Sequence, residues 1–359
     1  MSSPRLIRAV IPTLNKLLCL GLLLLLGCPP PVPRDRDLLL ATASVGGTFY
    51  PMGVAMATLI SRELEEPETI IASAITSSGS AENIRMLELD EAQLAIVQSL
   101  FASLAWQGEG IYQGREVRSL RGIGMLWRNV EQIVLRSPNQ TDDNATVSQT
   151  LTERKGDRIS LGPRWSGAEI SGRTILGALG FSPDEDFHIV NLGYGPSADA
   201  LQNRRIDGMF LAGGIPTAAV TQAMAGLGRG GAVLLSFSDE ELATLRDQFP
   251  VWERYVIPAE TYPGQTTPIP VIAQPNLLIT SEDVSEEVIY HVTRTIWENL
   301  EYLHRQHAAA REMSLDTVFA GMPIPLHPGA VRYFREVGLE VPDDLLPPEL
   351  TSTQEKDLK

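Results

Sequence analysis

The sequence predicts an α/β protein of two lobes with a ligand cleft between them. Three observations carry that prediction: apolar strands alternate with amphipathic helices, strand ends run into glycine- and hydroxyl-rich turns, and two segments follow one plan. "GSAENIRMLELDEAQLAIV" and "GPSADALQNRRIDGMFLAG" both read Ser-Ala-acid, apolar helix, acidic turn and apolar strand.

The elements follow in chain order. "DLLLATA" reads as a buried strand and leads into "SVGGTFYPMG", after which "MGVAMATLISRELEE" keeps Ala55, Met56, Leu59 and Ile60 on one helical side. Pro51 suits the first turn of that helix, where a missing N–H costs nothing. "ETIIASAIT" is a second strand, the turn "SSGSAEN" opens the next helix, and "EAQLAIVQS" is a third strand. Strands that alternate with helices in this way pair in parallel with helices on both faces.

"LRGIGMLWRNVEQIVLR", residues 120–136, is a long apolar stretch able to carry the chain from one lobe to the other. "GDRISLGP" then reads as a strand, and Ser166 with Glu169 has capping-box spacing at the start of a helix. "DFHIVNL" is a strand, and the segment ending "FLAGG" supplies a helix and a further strand. "YPGQTTPIP", residues 262–270, carries the chain back, and "VIAQPNLLIT" is a strand of the first lobe. One long helix is expected from Ser285, with Ile289, Val292, Ile296, Leu300 and Leu303 at helical spacing. The expected division is 1–27 export signal, 28–37 proline-rich linker, 38–133 first lobe, 134–266 second lobe, 267–338 return to the first lobe, and 339–359 an acidic, poorly ordered tail.

Composition narrows the function. The 359 residues carry a formal charge of -15, which excludes the dense Lys/Arg surface that nucleic acid requires. At the N-terminus Arg5, Arg8 and Lys16 precede an apolar run from Leu17 to Leu26, the form of an export signal and too short for a span of roughly 20 residues. "LLGC", ending at Cys28, resembles a bacterial lipobox, which implies a lipid on Cys28 and an extracytoplasmic protein held at the membrane. "PPPVPRDRD" then serves as a stiff spacer.

Catalytic signatures are missing: there is no G-x-S-x-G, H-E-x-x-H or Walker loop. Gly226 to Gly231 fits G-x-G-x-x-G, yet it precedes the strand "AVLLSF" where a dinucleotide site needs it to follow one. Glu301, His304 and His307 read as a solvated helix end rather than as metal ligands. No catalytic residue, metal or cofactor is expected. What remains is a set of small-residue turns at the carboxyl ends of strands, where open α/β sheets hold ligands. Glycines there admit close backbone approach and helix N-termini present unpaired N–H groups, so the set suits an anion such as a carboxylate. Ser44, Thr48, Ser78, Ser80, Ser99 and Ser166, with the Gln98 amide, add neutral donors and acceptors.

Five stretches resemble the TAXI-type substrate-binding subunits of tripartite ATP-independent periplasmic (TRAP) transporters: "SVGGTFYPMG", "SSGSAENIRMLELDEAQLAIVQS", "RIDGMFLAGGIPTAAV", "YPGQTTPIPVIAQPNLLIT" and "FAGMPIPLHPGAVRYFREVG". The resemblance implies a two-lobed, type II periplasmic-binding fold, a small organic acid such as glutamate or 2-oxoglutarate as ligand, and a membrane permease as partner. It implies a first ligand loop at Gly47, Thr48, Phe49 and Tyr50, with Tyr50 covering the ligand. A second follows at Ser78, Gly79 and Ser80, and a third at Gln98 and Ser99. Leu100 stands where the family commonly has an acid, which favours a ligand without an amino group. The fourth loop departs further. Trp165, Ser166, Gly167 and Ala168 replace a usual Gly-Ser-Gly-Thr, removing one hydroxyl and adding bulk, and Arg164 beside them suits a carboxylate. Gly213 and Gly214 complete the expected site. A stand-alone sensor or adaptor on the same fold is the alternative reading.

Overall fold

The structure, a computed structural model, describes residues 37–64, 70–137, 146–228, 230–348 and 350. The export signal, Cys28 and nearly all of the spacer lie outside the described residues, as do 351–359. Among the described residues no helix is long and apolar enough to cross a membrane.

The first half opens with β1 (Asp37–Ala41), α1 (Phe49–Glu63), β2 (Ile71–Ile75), α2 (Ser80–Glu88), β3 (Leu94–Gln98) and α3 (Ser99–Gln107). β4 (Leu120–Arg136) then crosses into the second half, which holds α4 (Val147–Thr152), β5 (Arg158–Ser160), α5 (Gly167–Ala178), α6 (Pro183–Asp186), β6 (His188–Val190) and α7 (Tyr194–Gln202). It continues with β7 (Gly208–Gly213), α8 (Ala218–Leu227), β8 (Ala232–Leu234), α9 (Asp239–Gln248) and β9 (Glu253–Ile257). β10 (Ile269–Ser281) returns, followed by α10 (Glu286–Glu298), α11 (Leu300–Gln306) and α12 (Pro328–Glu336).

The strands order as β2-β1-β3-β10-β4-β7-β5-β6, with β8 beside β4 and β9 beside β10. β1 pairs in parallel with β2 and β3, and β5 in parallel with β6 and β7. Each lobe is therefore the doubly covered parallel unit that its helices demand. β4 and β10 run antiparallel through both halves, so this is a two-lobed α/β fold whose lobes are joined by two long strands. Their register shifts beside Pro275, which has no N–H to give the ladder, and the irregularity falls where the chain leaves one lobe for the other.

Burial explains the helices. α1 turns Met52, Met56, Leu59 and Ile60 fully inward, and α10 does the same with Ile289, Val292 and Ile296. Ser285 caps α10 by accepting from the Val288 N–H. The single long helix expected from Ser285 is in fact two. Asn299 leaves helical geometry at φ −118°, its side-chain amide donates to the Thr295 carbonyl, and α11 restarts beyond it. The expected disorder after residue 339 is also corrected for its first part. Val341 and Leu345 are buried, and the Leu345 carbonyl accepts from the Leu326 N–H, because these apolar side chains complete the core beneath α12.

Candidate functional site

Five helices start at one place. The cavity there is lined by Ala43, Ser44, Gly47, Thr48, Phe49, Ser78, Gly79, Ser80 and Gln98 of the first lobe, and by Pro163, Ser166, Gly167, Ala168, Tyr194 and Ala212 of the second. These residues include the first or capping positions of α1, α2, α3, α5 and α7. Strands deliver them because every one of those turns leaves the carboxyl end of a parallel strand. In this arrangement the walls leave a cavity of about 30 Å³, on the scale of a water molecule or two, so the lobes stand close together around it.

The site is electrostatically unusual in having no formal charge on any of these lining side chains. Its polarity comes from helix ends and neutral groups. α1, α2, α3 and α7 carry no side-chain cap, whereas Ser166 caps α5 by accepting from the Glu169 N–H at 3.1 Å. Converging positive dipole ends and backbone N–H groups favour a bound anion. The capping box read at Ser166 is half formed. The Glu169 carboxylate accepts from the Trp165 N–H at 2.6 Å, one residue early.

Donor directions are fixed from the backbone outward. The Leu100 N–H donates to Gln274 Oε1 at 3.0 Å, so the Gln274 amide must turn its NH2 the other way, toward Gln98 Oε1 at 3.3 Å. Gln98 is thereby held with its own NH2 toward Gly167, where it offers donors to an acceptor oxygen in the cavity. Ser80 Oγ accepts from the Gln98 N–H at 3.1 Å, which leaves its proton free to donate.

The lobes touch around the cavity. Thr48 Oγ1 donates to the Gly214 carbonyl at 2.8 Å, and the Ala219 N–H donates to the Gly46 carbonyl at 3.2 Å. Gly46 has a φ of +100°, and a Cβ there would stand 3.1 Å from the Gly195 nitrogen, so the approach depends on glycine twice over.

Of the residues expected from sequence, Ser44, Gly47, Thr48, Phe49, Ser78, Gly79, Ser80, Gln98, Ser166 and Gly167 come together as cavity walls. Six others do not. Ser99 is adjacent to Gln98 but turns away, its hydroxyl donating to the Gly321 carbonyl at 2.6 Å. Tyr50 is half-buried on α1 and does not line the cavity, and the covering ring is Tyr194, whose side chain lies 3.2 Å from where a Gly47 Cβ would be. Arg164 and Trp165 face solvent. Trp165 is 65% exposed, because its φ of +63° swings the side chain outward. Gly213 and Gly214 stand behind Thr48 as supports for its hydroxyl.

Ala43, Pro163, Tyr194 and Ala212 escaped the sequence reading. The Tyr194 hydroxyl donates to the Ala212 carbonyl at 2.8 Å and accepts from its N–H at 3.0 Å, closing the wall. Burial pushes that phenol far above its ordinary range, so it stays neutral. "NLGYGPS" carried the signal, an aromatic beside glycine at a helix start. Away from the cavity, His304 Nε2 lies 3.3 Å from the Met313 carbonyl, and His307 Nδ1 accepts from the Ala309 N–H.

Comparison with known proteins gives one family. A profile of the NMT1-like family matches residues 40–338. Among solved structures, the chain is similar to a protein of Bordetella bronchiseptica RB50 at 13% identity, over 90% of this chain and 88% of that one, with a TM-score of 0.49. It is also similar to the ligand-binding component of an ABC-type import system from Staphylococcus aureus, with zinc bound. There the identity is 10%, over 88% of this chain and 98% of that one, with a TM-score of 0.45. A TctC solute binding protein from Polaromonas matches at 14% identity, over 78% and 88% of the two chains, with a TM-score of 0.43.

Proposed function

Because the chain belongs to the NMT1-like family, we propose that it is an extracytoplasmic solute-binding protein, lipid-anchored through Cys28, that captures a small carboxylate-bearing solute by lobe closure. In this reading it is a TAXI-type subunit that hands a glutamate- or 2-oxoglutarate-like acid to a TRAP permease driven by an ion gradient. The observation that carries it is the uncharged cavity at which five helix N-termini meet. An anion placed there is stabilised by dipole ends and N–H groups, and by the Gln98 amide and the Ser80 hydroxyl.

The proposed cycle is binding and release without bond making. Solute bridges the two walls, and the lobes close about the irregular crossing of β4 and β10, so ligand shifts a population between open and closed forms. The absence of acidic groups from the lining disfavours an ammonium, and a 2-oxo acid fits it better than an amino acid.

Ligand linkage supplies the test, since any solute that binds only the folded chain raises its melting temperature. Mature protein is expected to be stabilised by 2-oxoglutarate, succinate or pyruvate more than by uncharged amides of the same size. Equal or absent shifts across that panel would defeat the anion reading.

A further inference from the structure

Behind the cavity wall lies an ionisable group that solute contact does not use. Glu131 on β4 is fully buried, and its Oε1 accepts from the Ser171 hydroxyl at 2.8 Å and from Gln274 Nε2 at 3.1 Å. Its Oε2 and the facing indole N–H of Trp252 are both buried without a partner in hydrogen-bonding geometry among the described residues.

Three short paths join this carboxyl to the cavity. Gln274 also bonds Gln98, which lines the first wall. Glu131 is the register partner of Ala212, a lining residue of the second wall, and antiparallel partners share a sheet face about 5 Å apart. Ser171 lies on α5, whose N-terminus forms that wall.

The carboxyl is bonded by Ser171 of α5 and Gln274 of β10, with the Trp252 indole before β9 beside it and the Tyr194 phenol of α7 within electrostatic reach. Of these only Tyr194 titrates, and it is held neutral, so no cation among them compensates a charge on Glu131. Burial accordingly lifts the carboxyl to about 7, with the bonds from Gln274 and Ser171 opposing it.

Resting on the reading of the site as an anion cavity, we propose that Glu131 is a proton-binding site coupled to it, so that the protein takes up one proton with its anionic solute. A negative ligand on the far side of Ala212 and Gln98 repels the carboxylate in a medium of low dielectric and favours the acid. The ligand-bound form then holds more protons than the free form, so affinity must fall as pH rises.

Calorimetry with 2-oxoglutarate, whose own carboxyls stay ionised from pH 6 to 8, reads this directly. Affinity is expected to weaken by up to roughly fivefold between pH 7 and 8, because the free carboxyl is already about half protonated at pH 7. Measured in phosphate and in Tris, the heats should differ by the uptake of about half a proton at pH 7, rising toward one at pH 8. Glu131→Gln keeps the acceptor for Ser171 and Gln274, and it is expected to bind with no pH dependence and no buffer dependence. A wild-type affinity that does not change with pH overturns the proposal. A second measurement needs no ligand and no variant binding: infrared difference spectra should show a buried carboxylic-acid band titrating near neutrality that Glu131→Gln lacks. Glu131 ionised throughout pH 5 to 9 overturns the proposal as well. Failure of 2-oxoglutarate to bind at any pH strikes the proposed solute instead, and the infrared result then decides the proton site.

Discussion

Gly167→Ala isolates lobe closure from folding. Gly167 is the first residue of α5 and has no left-handed backbone to relieve, so a methyl there costs nothing locally and gains some helix propensity. Across the cleft the methyl carbon would stand 2.9 Å from Gln98 Nε2, 3.0 Å from Gln98 Cδ and 3.1 Å from Ser80 Oγ. Ordinary contact begins near 3.4 Å, so the walls must part by about half an ångström. Gln98 cannot yield freely, because its oxygen is held by Gln274 and its N–H by Ser80. Overpacking of this kind costs about 1 to 3 kcal/mol, and the cost falls on the closed form alone. Solute affinity should therefore drop between about 5-fold and about 150-fold. The melting temperature of the free protein should hold, and small-angle scattering of the free protein should broaden. Calorimetry with the carboxylate that gives the largest thermal shift measures the affinity. A dissociation constant within about twofold of wild type would refute the claim that this contact forms when the lobes close.

Other outcomes are equally definite. Tyr194→Phe leaves both the Ala212 N–H and its carbonyl without their side-chain partner, and is expected to cost about 1 to 3 kcal/mol in a urea titration and to weaken solute binding. Trp165→Gly removes an exposed side chain from a left-handed backbone, so stability should rise by about 1 kcal/mol while affinity stays unchanged. A large loss of affinity would show that Trp165 reaches the solute. Glu131 also leaves a signature in stability. Its folded carboxyl stands near 7 against 4.5 for the ordinary group, so the folded chain binds more protons between those values. The associated stability is complete below the ordinary value and is lost as pH rises through 7, about 3 kcal/mol in all. Glu131→Gln should flatten that dependence and exceed wild type in urea midpoint at pH 8.

The alternation of strands and helices was legible because period and turn chemistry are local, and so was the ring of small-residue turns. Side-chain direction was less so. Gln98 and Ser99 look equivalent in "VQS", yet neighbours at a strand end point opposite ways, and only Gln98 meets the cavity. Trp165 looked like a wall because its loop is one, and the sign of one φ angle put it outside. Glu131 was hidden in an apolar run. Its burial depends on Gln274, 143 residues away, and no window on the sequence holds both.

The place of β10 between β3 and β4 has a consequence for how the chain comes to be folded. The first lobe cannot finish its sheet until residues 269–281 exist, because β3 and β4 have no direct pairing and each waits for the same late strand. Contacts of such long sequence separation form slowly. A nascent chain ending before residue 269 has two unsatisfied strand edges and is expected to aggregate or to be held by chaperones. For a chain whose sequence begins with the form of an export signal, that delay keeps the polypeptide threadable until about three quarters of it has been made.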